Sequence, residues 1–299
     1  MKNQLFEGVA TAIVTPFKDS KVDIVAFERL VERQTDAGVS AIVVGGTTGE
    51  GSTLSEDEKI QLMTICKSVV KNKMKVIFSV CSNDTLHAVT LAKIAVEKGA
   101  DGLLVLTPFY NKCADNGLIA HFFAIADAVD KPIVVYNVPN RTGVNVSYKT
   151  YKKLSEKKNI VGVKEADGNF SKLVRSIKAS GDKLFFYSGN DDTFPQFIAA
   201  GGKGVVSVLS NVCPKIVKRI CDLSMRGEFE RANAYQRKVL PLIDLLFSEV
   251  NPIPVKYALY KLGLCENLLR LPLTPLEEKF RKKLDKELDF VCGLEGGLL

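Results

Sequence analysis

A lysine and a tyrosine with complementary chemistry lie near the ends of two apolar segments. Lys164 is the only charged residue of the segment 160–164. Burial disfavours the ammonium form of a lysine, and the neutral amine is the form that attacks a ketone to give an imine. A structural ion pair with Glu165 or another nearby acid is the alternative. Tyr136 ends a similar segment, where its hydroxyl could move protons during imine formation and aldol addition, or could be satisfied within a core.

Two other segments carry groups suited to a carboxylate. Thr47 and Thr48 lie between glycines, and their hydroxyls and the nearby backbone N–H groups can hold a carboxylate. Arg141 lies in a turn, and its forked guanidinium matches the two oxygens of a carboxylate. An ordinary glycine-rich turn and a surface arginine are the alternatives. Glu50 and Asp191 are equally open to an acid–base role and to a solvated or capping role.

These groups need a scaffold, and the sequence indicates repeated strand–helix units. Eight runs are continuously apolar and do not alternate with polar residues, as expected of parallel strands that are buried on both faces. The predicted strands span residues 9–15, 41–45, 76–80, 102–107, 133–138, 160–164, 185–189 and 204–209.

Helical patterns separate these runs, for example at residues 23–37, 56–70 and 84–98. Ser55 and Glu58 have the spacing of a capping box at the start of the second of these helices. Eight such units predict an α/β fold of the (β/α)₈ TIM barrel type, with the active site at the carboxyl ends of the strands. An open doubly wound sheet is the alternative, but no G-x-G-x-x-G follows the first strand, which argues against a dinucleotide-binding version.

The strand pattern stops after the eighth run. Helices are predicted at residues 214–225, 228–248, 254–262 and 275–288. We therefore divide the chain into a barrel with the active site over residues 1–225 and a C-terminal helical extension over residues 226–299. The glycine-rich tail, residues 292–299, is expected to fray.

Composition narrows the class of protein and its partners. The net charge of +7 is spread along the chain without a basic block that interleaves aromatics, which argues against nucleic-acid binding. No secretory signal and no long apolar stretch is found, so no membrane partner is expected. Seven cysteines without C-x-x-C spacing favour reduced thiols in a cytoplasm over a disulfide framework. The chain has only two histidines, and His121 lies on a predicted helix where a structural role is expected, so histidine-based metal chemistry is not expected.

The motifs, taken together, resemble the dihydrodipicolinate synthase / N-acetylneuraminate lyase family over roughly residues 5–290. The segments that carry the resemblance are GGTTGE at 45–50, YNVP at 136–139 and VKEA at 163–166. Membership implies a class I lyase that forms a Schiff base with pyruvate on a TIM barrel. It implies no metal and no organic cofactor.

Other segments resemble the synthase branch of this family. They are the paired threonines at 47–48, PNRTG at 139–143, EVNPIPVK at 249–256 and LRLPLTP at 269–275. The resemblance implies condensation of pyruvate with L-aspartate-4-semialdehyde to 4-hydroxy-tetrahydrodipicolinate in lysine and diaminopimelate biosynthesis. A sialic acid or keto-deoxy-sugar lyase is one alternative, a non-catalytic relative another. Arg141 and the threonines argue against the first, and the presence of Lys164 and Tyr136 against the second. A phosphate-binding barrel is disfavoured because residues 201–204 precede the last strand.

The resemblance also implies catalytic roles. Lys164 forms the imine with pyruvate, and Tyr136, Thr48 and Tyr110 form a proton relay. In this family the residue that matches Tyr110 usually comes from a neighbouring subunit. We therefore expect a homo-oligomer that is at least a tight dimer, with a tetramer built as a dimer of dimers.

Substrate-binding roles follow in the same way. The resemblance implies that Thr47 and Thr48 hold the pyruvate carboxylate, with help from the backbone near Val206 and from Gly189. Arg141 is expected to orient the semialdehyde through its carboxylate.

One region departs from the lysine-inhibited members of the family. Their helix after the position of Leu54 carries histidines, whereas this chain has Glu56 and Lys59, and Phe109 replaces a common tyrosine before Tyr110. A cationic Lys59 would repel the ammonium group of a bound lysine. Feedback inhibition by lysine is therefore expected to be weak or absent.

Overall fold

A computed structural model describes residues 2–297 of the chain and contains, within them, a closed barrel of eight parallel strands. These strands are β1 Gly8–Ala12, β4 Ala41–Val44, β5 Lys75–Val80, β6 Gly102–Leu106, β7 Ile133–Asn137, β8 Ile160–Glu165, β9 Phe185–Ser188 and β10 Gly204–Ser207. The barrel closes because β1 pairs with both β4 and β10. The predicted (β/α)₈ fold is confirmed. A two-stranded hairpin, β2 Phe17–Lys18 and β3 Lys21–Val22, was not predicted.

Each barrel strand begins within one residue of its predicted start, but most end earlier than predicted. The first strand stops at Ala12 rather than at residue 15. Ile13 N still donates to Val43 O of β4 at 3.2 Å, but Val14 N donates to Asn211 Oδ1 and Thr15 Oγ1 to Gly49 O, both outside the strands. β5 ends as predicted, and β8 continues one residue past Lys164.

Helices connect the strands on the outside of the barrel. They are α1 Ile24–Asp36, α2 Glu56–Val70, α3 Thr85–Glu97, α4 Asp115–Ala128, α5 Pro139–Thr142, α6 Tyr148–Leu154, α7 Phe170–Ser180, α8 Phe194–Ala199 and α9 Pro214–Met225, with a 3₁₀ turn at Leu209–Asn211. The predicted capping box is confirmed: Ser55 Oγ accepts from Glu58 N at 3.2 Å, and Glu58 Oε2 accepts from Ser55 N at 2.9 Å.

The C-terminal extension is helical, as predicted, and consists of α10 Phe229–Leu246, α11 Ile253–Lys261 and α12 Glu278–Gly296. The tail from residue 292 was predicted to fray. This prediction was wrong for residues 292–296, which form the last part of α12. Glu295 Oε1 accepts from Lys215 N at 3.2 Å, so the last helix caps the first turn of α9. Residues 298 and 299 lie outside the described part.

The apolar side chains form two layers. An inner cluster inside the barrel includes Ala10, Val43, Leu104, Val134 and Val206, all buried. A larger cluster between the strands and the helices contains the other face of each strand together with the buried faces of α10 and α12. Burial on both faces explains why the strands are apolar without alternation. Across residues 2–297, no helix combines the length and apolar character needed to cross a membrane.

Candidate active site

The carboxyl ends of the strands open into a cavity of about 440 Å³. This is the end at which barrels of this type carry their active sites. Polar and glycine residues from the predicted site line it, together with residues of the extension: Thr47, Thr48, Tyr136, Arg141, Lys164, Gly189, Phe247, Val250 and Asn251.

Lys164 and Tyr136 meet at this cavity because β7 and β8 hold them in register as a direct pair. Lys164 Nζ lies 4.1 Å from the centre of the Tyr136 ring. Both residues are buried, with exposed fractions of 6% and 8%. The amine is therefore held against an aromatic face rather than in bulk water.

The alternative of an ion pair between Lys164 and Glu165 is wrong. Successive residues of a strand point to opposite faces, so Glu165 faces away from the cavity. Its Oε1 accepts from Asn137 Nδ2 at 2.6 Å, and its Oε2 accepts from Tyr151 Oη at 2.8 Å and Lys172 Nζ at 3.0 Å. Burial raises the pKa of the Glu165 carboxyl, and the positive charge of Lys172 opposes that rise.

The loop after β4 presents the two threonines. Gly51 closes this loop so tightly that a Cβ there would lie 1.9 Å from Gly45 O, which only glycine allows. Thr48 Oγ1 accepts a hydrogen bond from Asn251 Nδ2 at 3.0 Å. Because that bond uses the oxygen as an acceptor, the hydroxyl hydrogen of Thr48 remains available for another partner.

Arg141 reaches the cavity from the short helix α5, which Pro139 begins. Its Nη2 donates to Asn251 O at 3.4 Å. Asn251 thus contacts both a threonine of the β4 loop and the arginine of α5. Arg141 was predicted at the site and Asn251 was not, although the asparagine belongs to the segment EVNPIPVK, 249–256, which resembles the synthase branch.

Two predicted site residues do not line the cavity. Tyr110 is 89% exposed and has a φ of +64°. Val206 is buried in the inner cluster, whereas Val208, two residues further along, lines the cavity. Gly189 does line it, and a Cβ at this position would lie 3.3 Å from Lys164 Cε. The glycine therefore leaves room beside the lysine.

The structure decides the open roles of Glu50 and Asp191 in favour of structural ones. Glu50 Oε1 accepts from Lys256 Nζ at 2.6 Å in a fully buried ion pair. Asp191 Oδ2 accepts from Val208 N and Leu209 N, both at 2.8 Å, which caps the turn after β10. Burial raises the pKa of the Asp191 carboxyl, and hydrogen bonds from Ser207 and these backbone groups oppose the rise.

Comparison with known proteins decides the family. The sequence model of the dihydrodipicolinate synthetase family matches residues 5–290. The 4-hydroxy-tetrahydrodipicolinate synthase of Alkaliphilus oremlandii is 45% identical over 284 residues, which cover 95% of this chain and 98% of the relative. The chain belongs to the dihydrodipicolinate synthetase family.

Solved structures agree with this membership. Dihydrodipicolinate synthase of Thermotoga maritima superposes with a TM-score of 0.94 at 43% identity and covers 97% of this chain and 99% of its own. The chloride-inhibited enzyme of Acinetobacter baumannii, solved in complex with pyruvate, gives a TM-score of 0.94 at 40% identity, covering 96% of this chain and 99% of its own. The fold of this synthetase-family chain is therefore that of its solved relatives over nearly its whole length.

Proposed function

We propose that the protein condenses pyruvate with L-aspartate-4-semialdehyde to give 4-hydroxy-tetrahydrodipicolinate, the compound after which its curated relatives are named. The observation that carries the proposal is the placement of Lys164. Its amine is buried at the cavity, 4.1 Å from the Tyr136 ring, and Thr47, Thr48 and Arg141 line the same space. A buried amine beside groups that bind carboxylates suits a 2-keto acid.

The reaction begins when the neutral amine of Lys164 attacks the carbonyl carbon of pyruvate and water leaves, which gives an imine. Loss of a proton from the methyl group then gives an enamine. The enamine carbon attacks the aldehyde carbon of the second substrate and forms a carbon–carbon bond. The amino group of that substrate finally attacks the imine carbon, so that the ring closes and Lys164 is released as the free amine.

We assign the proton transfers of these steps to hydroxyl groups. Tyr136 and Thr48 are buried at the cavity, and the Thr48 hydroxyl hydrogen is free to donate. We assign them to the relay, with Tyr110 as a third member supplied by a second copy of the chain. The exposure of Tyr110, 89%, supports this assignment because the side chain has no place in the cavity of its own chain.

Substrate carboxylates are assigned to two ends of the cavity. The hydroxyls of Thr47 and Thr48, together with the backbone near Val206 and Gly189, hold the carboxylate of pyruvate. Arg141 holds that of the semialdehyde, because its guanidinium reaches the cavity from the opposite loop and forms paired hydrogen bonds with carboxylates.

The assembly, organisation and location of the protein follow from the same proposal. We propose a homo-oligomer, at least a tight dimer and as a tetramer a dimer of dimers. We also propose a division into a barrel, residues 1–225, and an extension, residues 226–299, that completes the site through Asn251. The seven cysteines form no disulfide, which supports a cytoplasmic location.

Borohydride reduction in the presence of pyruvate, followed by mass spectrometry of peptides, tests the mechanism. A pyruvate adduct on Lys164 is expected, and the Lys164→Ala variant should give none. An adduct on another residue, or none in the unaltered protein, would overturn the assignment. Coupled assays with aspartate semialdehyde and with N-acetylneuraminate then test the substrate, because a sugar lyase would act on the second.

A further inference from the structure

We propose that Lys256 is a positioning residue: through its buried ion pair with Glu50, it holds Thr48 in place for proton transfer. The proposal rests on the function proposed above, since it concerns the same cavity. It assigns a role in catalysis to the C-terminal extension, and to a lysine that does not touch the substrate.

The ion pair joins the extension to the loop after β4. Lys256 Nζ lies 2.6 Å from Glu50 Oε1, and the two side chains are 0% and 1% exposed. The other carboxylate oxygen, Oε2, accepts from Arg270 N at 3.0 Å. Phe17 of the hairpin strand β2 packs against the pair, with its ring centre 4.1 Å from Lys256 Nζ. Both oxygens of Glu50 are thus bonded by residues of the extension.

Glu50 transmits this contact to the threonines. It follows Thr48 by two residues, and its N–H donates to Thr47 O at 3.1 Å, which closes the turn that carries both hydroxyls. Its φ of +53° lies in the left-handed region. A residue other than glycine keeps this backbone conformation only where its surroundings hold it there. The ion pair with Lys256 and the hydrogen bond from Arg270 N hold its side chain in this position, and the ion pair is the one of the two that a side-chain substitution can remove.

Lys256 also lies in the helix that directly follows the other partner of Thr48, Asn251. Its backbone N–H donates to Pro252 O at 3.0 Å, in the first turn of the helix that directly follows Asn251. Asn251 Nδ2 in turn donates to Thr48 Oγ1. The loop and the asparagine are thus both anchored at the start of α11, the loop by the Lys256 side chain and the asparagine by the helix backbone, and the direction of the Thr48 hydroxyl depends on both.

Stability alone does not account for a charged pair at this place. Burial lowers the pKa of Lys256, and the charge of Glu50 opposes that change. Because desolvation of two ions offsets much of their attraction, apolar residues of similar size often serve a core equally well. An ion pair with one defined geometry suits a loop whose hydroxyl must stay within hydrogen-bond reach of a reacting atom.

The double variant Lys256→Met/Glu50→Gln tests the proposal, because it removes both charges and leaves neither ion unpaired. Three readouts are needed: the midpoint of thermal unfolding, the pyruvate adduct trapped by borohydride, and exchange of the pyruvate methyl protons with deuterated solvent. We expect the variant to fold and to form the adduct, while methyl exchange slows by about 10²-fold, the loss associated with a misplacement of about 1 Å.

The matched control removes a partly exposed pair of the same extension. Lys261 Nζ lies 3.3 Å from Asp285 Oδ2, and the double variant Lys261→Met/Asp285→Asn should leave methyl exchange unchanged. Folded Lys256→Met/Glu50→Gln protein with the exchange rate of the unaltered chain would overturn the proposal. If this variant does not fold, Lys256→Arg keeps a cation opposite Glu50 but alters the geometry. Slower exchange is then expected, and an unaltered rate would overturn the proposal.

Different experimental results would overturn this proposal and the proposed function. No pyruvate adduct in the unaltered protein would overturn the function. A normal adduct and normal exchange in the Lys256 variants would overturn only the positioning role.

Discussion

Lys164 Nζ lies 4.1 Å from the centre of the Tyr136 ring, and the two residues are directly paired in the register of β7 and β8. The ring covers one side of the amine, and the hydroxyl lies at the far end of the same side chain. The tyrosine can therefore serve two functions that a substitution can separate: packing against the lysine and proton transfer.

The Tyr136→Phe variant should keep the first function and lose the second. We expect the pyruvate adduct on Lys164 to form, because the aromatic face is retained, and kcat to fall by about 10²- to 10⁴-fold, because a positioned proton donor is missing. Steady-state kinetics and borohydride trapping measure the two effects. Tyr148→Phe, a change at an exposed tyrosine, is the control. A kcat equal to that of the unaltered chain would exclude Tyr136 from the relay.

Tyr110 gives a test of assembly. If its hydroxyl enters the cavity of a second copy, the variants Tyr110→Phe and Lys164→Ala should each be weakly active alone but complement each other when their subunits are mixed. About a quarter of full activity is expected, because half of randomly mixed dimers are hybrids and each hybrid has one intact site. Size-exclusion chromatography must show that the subunits exchange. Hybrids without recovered activity would place Tyr110 in its own chain's site or outside it.

Arg141 should act on the second substrate only. Arg141→Lys keeps the charge but loses the paired hydrogen bonds, so KM for aspartate semialdehyde should rise by about 10- to 100-fold. The pyruvate concentration that gives half-maximal borohydride trapping should stay the same. An equal loss for both substrates would show that the change disturbs the cavity in general, through the contact with Asn251.

The pair of Glu58 and Arg270 predicts a pH-dependent contribution to stability. Hydrogen bonds from the Arg270 guanidinium lower the pKa of Glu58 from 4.5 to about 2. Since the folded pKa lies below the unfolded one, the stabilisation is complete above about pH 4.5 and is lost as the pH falls towards 2. Thermal unfolding should therefore separate Glu58→Gln from the unaltered chain most at neutral pH, and progressively less in acid.

The control for this experiment is Glu156→Gln, which removes an exposed pair with Lys153, three residues earlier in the chain. Such pairs contribute little, so its unfolding temperature should change little at any pH. A constant difference between Glu58→Gln and the unaltered protein from neutral pH down to acid would contradict the assigned pKa shift.

Feedback inhibition by lysine is predicted to be weak. Lys59 puts a buried ammonium group in this region, where it would repel that of a bound lysine, and one oxygen of Glu56 is already bonded to His87 Nε2 at 2.6 Å. Initial rates over a range of lysine concentrations measure this directly. Inhibition at physiological lysine levels would contradict the prediction, and Lys59→His tests whether the buried charge is the cause.

Strand starts and the main site residues could be predicted because their signals are local. A strand buried on both faces is a continuous apolar run, and a polar side chain at its carboxyl end must face the cavity or the helices. The choice between these two faces was open for Lys164 and was decided by the register of β8, in which Glu165 takes the outer face.

Asn251 and the pair of Glu50 with Lys256 could not be predicted in this way, because their contacts join distant parts of the chain. The only local signal was a lone lysine in the apolar start of a helix, residues 252–259, which is the same pattern that singled out Lys164. The tail was misjudged for a related reason: its glycines argue for fraying, but the contact of Glu295 with α9 lies 80 residues away.

The hydrogen bond between Asn251 and Thr48 spans 203 positions of the sequence. A ribosome makes the threonine loop early and the asparagine late, so a nascent chain can complete its barrel strands while the hydroxyl of Thr48 still lacks its donor. The Thr48 hydroxyl gains this donor only after the segment around residue 251 has emerged and docked against the barrel. If Lys164 forms the imine as proposed, its chemistry depends on late-synthesised chain, and we expect fragments from premature termination to carry this lysine without a complete site.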